Sequence, residues 1–335
     1  INDIVLTHYY VKFEPETEDE LDYLVEYFKE DDITFFDCPI ECETYGEGMV
    51  EAPLTGIMPL YASIPSNITL PFFCDYTVLD SIFIPDDQEG RVTTLNANGV
   101  PIEAMDILLD EAYNAVGIEN TRASAKWRPN GRIIVWDDLL GEFVPVEGVK
   151  VVAHCGLKTA KGITDENGYF SVSKTFNRAV KYSIVWEDEY WDIRQGKTKQ
   201  ARYHNGNKTT ASWNVTFNNY SSYRNYAHLH RTLRYHFYED SKGAGRVSSN
   251  KKLKVSYIHG TSEDGYAAYF TPNAIGGIKT DIVVYGRTGT NFEWSSSTII
   301  SNLFHELGHA TMFTGVSIND YREKDSTIKE PWACF

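Results

Sequence analysis

Residues 300–313 read ISNLFHELGHATMF, and His305, Glu306 and His309 within them spell H-E-x-x-H. No other stretch restricts the fold so tightly. On a helix, residues i and i+4 lie one turn apart on one face, so the imidazoles of His305 and His309 can be presented to a single metal ion. Glu306 follows the first histidine and is rotated away from the ion, where its carboxylate reaches a metal-held water instead of the metal. Zinc brings the pKa of such a water to about 7, and the carboxylate takes its proton as it attacks a polarised carbonyl. The flanks agree with a helix. Ser295, Ser296 and Ser297 are candidate N-caps, and Ile299/Ile300, Leu303/Phe304, Leu307 and Thr311 form the apolar face. Gly308 is the anomaly. A mid-helix glycine is about 1 kcal/mol worse than alanine, so something should require it there, and close packing of a neighbouring element is one candidate.

The 335 residues carry a net charge of −16, unevenly spread. Residues 1–120 hold 26 acidic and 3 basic side chains, a net of −23, whereas residues 121–335 hold 21 and 28, a net of +7. This balance argues against a nucleic-acid partner, because phosphate binding needs a basic footprint. No run of eighteen apolar residues exists, so no transmembrane segment is expected. The start, INDIVLTHYY, lacks basic and apolar signal regions, and any N-terminal signal is taken as removed. The acidic region reads as a solvated spacer or, alternatively, as a segment docked on the more basic remainder. Of the cysteines, Cys38, Cys42, Cys74, Cys155 and Cys334, the first two make C-x3-C with no answering pair. A zinc knuckle is therefore not expected, and an oxidising compartment would allow one disulfide within the N-terminal segment.

Thr17 and Glu20 form a capping box ahead of Leu21, Leu24, Val25 and Phe28, which predicts a helix over about 18–30. MDILLDEAYNAVG (105–117) reads as a second short helix. From Trp127 to Gly196 run short alternating β-branched and aromatic stretches, broken by turns at DDLLGE, DENG and FNRA, which predict a small antiparallel sandwich. A helix over 223–241 carries Tyr226, Leu229, Leu233 and Phe237 on one stripe, and LKVSYIHG (253–260) and TDIVVYG (280–286) read as strands. His228, His230 and His236 do not converge at their spacing and are read as surface or core histidines. The fold class is thus α+β and multidomain. An acidic N-terminal region spans 1–125, an antiparallel β-sandwich 126–200, and an α+β domain with the H-E-x-x-H helix 201–335.

VPVEGVKVVA followed by GITDENGYFSV resembles the carboxypeptidase regulatory-like, transthyretin-type β-sandwich. The likeness lies in Gly148 and Val149 at a strand entry and in Asp165, Gly168 and Phe170 of a T-D-x-x-G-x-F hairpin. These are structural residues of turn and core. HELGHA resembles the zincin metallopeptidases. That resemblance implies Zn2+ as cofactor, His305 and His309 as ligands, Glu306 as the catalytic general base, and a peptide or protein substrate. The metzincin continuation is absent, since Met312 and Gly315 stand where its Gly and last His belong. The gluzincin pattern draws a glutamate from a second helix about twenty residues on, which points to Glu330, 21 residues after His309. Asp320, Glu323 and Asp325 are rival acids. Pro331 places Glu330 at a helix start, because proline is at ease only in the first turn. TDIVVYG is a candidate for the strand that pairs with an extended substrate, or else a plain core strand, and Tyr321 is a candidate oxyanion-stabilising donor.

The reading that follows is a zinc-dependent metallopeptidase of gluzincin-like type, extracytoplasmic, either secreted or surface-anchored. Its rival from another class is a surface adhesin or glycan-binding protein with an inactive peptidase-like domain. A chain that ends five residues after Glu330 is also expected to continue past Phe335.

Overall fold

The computed structural model describes residues 6–31, 33–40, 57–82, 93–95, 101–103, 122–196, 199–218, 222–239, 245–249, 251–262, 267–271, 280–287, 293–316, 318–324 and 326–333. In the acidic region, β1 (His8–Phe13) is the middle strand of a small antiparallel sheet. Helix α1 (Glu18–Tyr27) opens on the expected cap, the Thr17 hydroxyl accepting from the Glu20 N–H at 3.2 Å. Strands β2 (Leu60–Pro65) and β3 (Tyr76–Ile82) flank β1 on either side. Leu24 and Phe28 of the predicted stripe are buried with Val11, Phe13, Ala62 and Ile64, which gives the sheet a core of its own. The predicted helix over 105–117 lies outside the described residues.

In its described part the acidic region is docked and is not a solvated spacer. Phe36 packs with Val152 and Val185 of the next unit. Lys161 donates to the Ile33 carbonyl at 3.2 Å, Arg202 to the Phe35 carbonyl at 3.1 Å, and Lys251 pairs with Asp19 at 2.7 Å. Basic side chains of the remainder thus meet the acidic unit. Cys74 is a buried free thiol, so it does not supply the N-terminal disulfide.

A short hairpin, β4 (Thr93–Leu95) and β5 (Pro101–Glu103), precedes the sandwich. The next strands are β6 (Arg122–Trp127), β7 (Asn130–Asp137), β8 (Glu142–Pro145), β9 (Lys150–Cys155), β10 (Lys158–Ile163), β11 (Tyr169–Ser171), β12 (Phe176–Arg178) and β13 (Lys181–Val185). The FNRA segment is strand and not turn. Phe176 and Arg178 are both buried while Asn177 is half-buried, and this period-2 pattern pairs β12 with β6. The DENG hairpin behaves as expected. The Asp165 carboxylate accepts from the Asn167 and Tyr169 amides, each at 2.9 Å, and Gly168 takes φ +79°, a left-handed conformation that favours glycine.

Past β13 the chain leaves the sandwich. Strands β14 (Trp191–Gln195) and β15 (Lys199–Gln200) join a second sheet, whereas β16 (Arg202–His204) and β17 (Trp213–Phe217) return to the first two layers, β10-β9-β13-β16 and β11-β7-β17. The sheets therefore interleave over 191–217. Helix α2 (Ser222–Tyr238) buries Tyr226, Leu229, Leu233 and Phe237, as its stripe predicts. The second sheet continues with β18 (Leu253–Ile258), β19 (Ala268–Phe270) and β20 (Ile282–Tyr285) in the order β15-β14-β18-β20-β19. Strands β14, β18 and β20 run parallel, and β19 is an antiparallel edge. Helices α3 (Ser296–Gly315), α4 (Ile318–Glu323) and α5 (Ser326–Ala333) follow. One hydrophobic core runs from Ile133 and Phe170 through Trp186 and Leu229 to Ile299 and Leu307, so sandwich and C-terminal sheet share an interior. The molecule is α+β, with mostly antiparallel sheets and five helices among the described residues. No described helix is long and apolar enough to cross a membrane.

Candidate metal centre

Helix α3 is fixed at both ends of its useful length. Ser295 is the cap, accepting from the Thr298 N–H at 3.3 Å. The β7–β8 turn of the sandwich reaches the same terminus. The Asp138 carboxylate accepts the Ser296 N–H at 2.8 Å, the Ser296 hydroxyl accepts the Asp138 N–H at 2.8 Å, and Arg224 of α2 pairs with Asp138. A carboxylate at a helix N-terminus meets its unpaired N–H groups and its dipole. Burial works against the charge on Asp138, but the Ser296 N–H and Arg224 outweigh it and hold the carboxyl below its ordinary range. Beside it Arg231 pairs with Asp137 at 2.9 Å.

Halfway along, Gly308 is the contact point for α5. A Cβ there would lie 2.6 Å from the Ala333 Cα and 2.8 Å from its carbonyl oxygen, so the two backbones touch and only glycine fits. This close approach brings Glu330 over the two histidines. His305 Nε2 and His309 Nε2 are 3.2 Å apart, and the Glu330 carboxylate lies 3.2 Å from the first and 3.6 Å from the second. Donors about 2.1 Å from a four-coordinate cation stand roughly 3.4 Å from each other, and the three separations bracket that value. The donor set, two imidazoles and a carboxylate, suits a borderline divalent ion such as zinc. Glu330 is 60% exposed and its partners are much less so, which leaves the solvent side open for a further ligand.

Glu330 does not sit at a helix start as expected. It is the fifth residue of α5, and Pro331 is inside the helix. In a helix this short the missing N–H forgoes a single i→i−4 bond, and the contact with Gly308 holds the segment. Of the rival acids, Asp320 is exposed on α4 and outside the cluster, and Asp325 lies outside the described residues. Glu323 is on α4, and its side chain lies outside what the structure describes.

Glu306 points elsewhere, as its position on the helix requires. It is buried, and its carboxylate takes a hydrogen bond from the Phe270 backbone. Burial, and then the nearby charge of Glu330, push its pKa up to about 7. Phe270 belongs to β19. The Thr271 N–H bonds the Asp281 carbonyl and the Tyr285 N–H bonds that of Ala267, so by alternation the backbone groups of Ala268 and Phe270 face away from β20. The TDIVVYG strand, β20, is paired on both sides by β18 and β19 and is a core strand, unable to receive a further chain. Among the described residues the outer side of β19 has no strand partner, and three residues were too few to announce an edge strand. Tyr321, on α4, is buried against Phe313 and Phe270. Its hydroxyl pKa is raised by burial and then by the charges of Glu306 and Glu330.

The three α2 histidines are buried in the core. His228 and His230 bond the carbonyls of Trp136 and Glu147 at 3.0 and 2.9 Å, and His236 accepts the Val247 N–H at 3.1 Å. Burial lowers the pKa of each to about 4.

No family model matches the chain, and no curated protein matches it. Among solved structures, the 5-hydroxyisourate hydrolase of Klebsiella pneumoniae is similar over 27% of this chain and 89% of its own, at 14% identity and a TM-score of 0.17. A likeness that weak carries no argument, and the strand pairings described above stand by themselves.

Proposed function

We propose that this chain is a zinc-dependent metallopeptidase of gluzincin-like type, with His305, His309 and Glu330 as ligands and Glu306 as general base. The observation that carries the reading is the convergence of three donors from two helices at near-tetrahedral separations, made possible by the backbone contact at Gly308. A zinc ion held there supplies Lewis acidity to a carbonyl and acidifies a water. The chain supplies the rest. Glu306, with a pKa raised to about 7, is poised to take the proton of the attacking water and return it to the leaving amine. The outer edge of β19, through the Ala268 backbone and the Phe270 carbonyl, offers groups to an extended peptide. Tyr321, whose hydroxyl is kept protonated by burial, is the candidate donor to the developing oxyanion.

The test compares cleavage of casein and of a peptide library by wild type and Glu306→Gln at equal metal loading. A fall of about 10²-fold or more in the variant is expected, the usual contribution of a positioned acid–base group. Equal cleavage by both proteins would sink the peptidase reading. Metal binding without cleavage by wild type would move it to a binding protein of the same fold.

A further inference from the structure

The face of the β10-β9-β13-β16 layer that receives the acidic unit is cationic and carries two histidines. Side chains alternate along a strand. Val151, Ala153, Tyr182 and Ile184 fill the shared core, so Val152, Ser183 and their cross-strand partners turn outwards. One row across the layer reads Lys161, Val152, Ser183 and His204. The rows beside it bring His154 with Lys181 on one side and Val185 with Arg202 on the other. Phe36 of the acidic unit lies over this face. Its ring centroid is 5.9 Å from that of His154 and 5.3 Å from the Arg202 guanidinium. The next residue, Asp37, pairs with Arg202 at 3.4 Å, and both side chains are only 8% exposed.

This contact is built to separate. The acidic unit has its own core around Val11, Phe13, Leu24 and Phe28, so it keeps its fold when it leaves. The apolar part of the contact is small, chiefly Phe36 and Ile40 against Val152, Val185 and Leu157. The polar part is incomplete. Among the described residues the buried Asp37 Oδ2 and Arg202 Nη1 atoms have no hydrogen-bond partner, and unmet buried groups weaken docking. The charges are also unbalanced. His204 feels Arg202 from its own strand, Lys181 from β13 and His154 from β9, against one anion, Asp37, which Arg202 already holds. Burial, and then Arg202 and His154, bring the pKa of His204 down to about 4. A proton there adds a cation where one carboxylate already serves two fixed positive charges.

We propose that this contact is an acid-released latch, in which neutral His204 lets the acidic unit sit on the sandwich and protonation of His204 frees it. An undocked His204 faces water and titrates near its ordinary value of 6.5, so the docked form binds fewer protons. Docking is therefore at full strength above pH 6.5 and weakens as pH falls towards 4, by up to about 30-fold at pH 5. The proposal is independent of the metallopeptidase reading.

The experiment oxidises the full chain with hydroxyl radicals across a urea gradient at pH 7.5 and pH 5, and reads three phenylalanines by mass spectrometry. Phe36 reports the contact, Phe13 the core of the acidic unit, and the fully exposed Phe72 the radical dose. Tryptophan fluorescence reports the remainder, because residues 1–120 hold no tryptophan. Phe36 should become reactive at lower urea than Phe13. The docking constant it yields should fall at least about fivefold from pH 7.5 to pH 5, while the Phe13 and tryptophan transitions move less. His204→Gln, neutral at both pH values, should abolish that fall. Asp37→Asn should weaken docking at both pH values and leave Phe13 unmoved. Exposure of Phe36 and Phe13 together at both pH values, or a docking constant that holds or rises at pH 5, would overturn the latch. So would a His204→Gln protein with the wild-type pH response, or an Asp37→Asn protein that docks as wild type.

Discussion

Helix α3 carries two polar clusters about one-half of its length apart, and they are built on opposite rules. At its N-terminus the charges are matched. Asp138 meets Arg224 and the Ser296 N–H, Asp137 meets Arg231, and His228 lies between Trp136 and Arg231. At its middle the groups converge on one point. Two imidazole nitrogens and a carboxylate face one another within 4.8 Å, with a second carboxylate, Glu306, close enough to feel the first. The first cluster is complete as it stands and joins the sandwich to the helix. The second brings together three donor atoms that could share one cation. Charges matched one to one hold structure, and donors that converge on one point can serve a shared ligand.

That contrast can be broken in graded steps. Asp138→Ala leaves the Arg224 guanidinium buried without its carboxylate and removes the acceptor of the Ser296 N–H at the helix start. It should destabilise the fold by about 3 kcal/mol in chemical denaturation, while the folded fraction still binds one metal per chain. An unchanged stability would show that the upper cluster is not structural. His228 gives a milder effect. Its folded pKa of about 4 lies below the ordinary value of 6.5, so the unfolded chain binds the extra proton first as the medium acidifies. Its contribution is full above pH 6.5 and is lost as pH falls towards 4, at up to about 1.4 kcal/mol per pH unit. His228→Gln, which can still donate to the Trp136 carbonyl, should flatten the stability-against-pH curve in that window. A curve identical to wild type would contradict the neutral buried state. Gly308→Ala tests the lower cluster. Helix propensity alone favours the change by about 1 kcal/mol, but the clash with the Ala333 backbone forces α5 outwards, for a net loss of about 1–2 kcal/mol. Because Glu330 moves with α5, metal affinity measured against a competing chelator should fall about tenfold. A stabilised variant with normal affinity would mean that α5 is not held where the contact at Gly308 puts it.

Much of the lower cluster was legible because it is local. The H-E-x-x-H spacing, the Ser295 cap and the out-of-place Gly308 all lie on one helix, and Glu330 follows within 21 residues. Features set by long-range pairing were not legible. The alternation of Phe176 and Arg178 belongs to a strand, yet Asn177 beside Arg178 reads as a turn. Nothing in TDIVVYG reveals that β18 and β19 take both of its edges. Asp137 and Asp138 look like turn residues, and their role appears only when Ser296, some 158 positions later, arrives beside them. Pro331 misled because a rule for long helices was applied to one of eight residues.

The central claim is that His305, His309 and Glu330 hold one cation. Its most direct test is metal content by elemental analysis, after stripping with chelator and reconstitution with zinc, for wild type, His309→Ala and Glu330→Ala. The expected result is close to one zinc per wild-type chain and close to none in His309→Ala, with a marked loss in Glu330→Ala. Wild type that takes up no zinc, or variants that retain it in full, would contradict the claim.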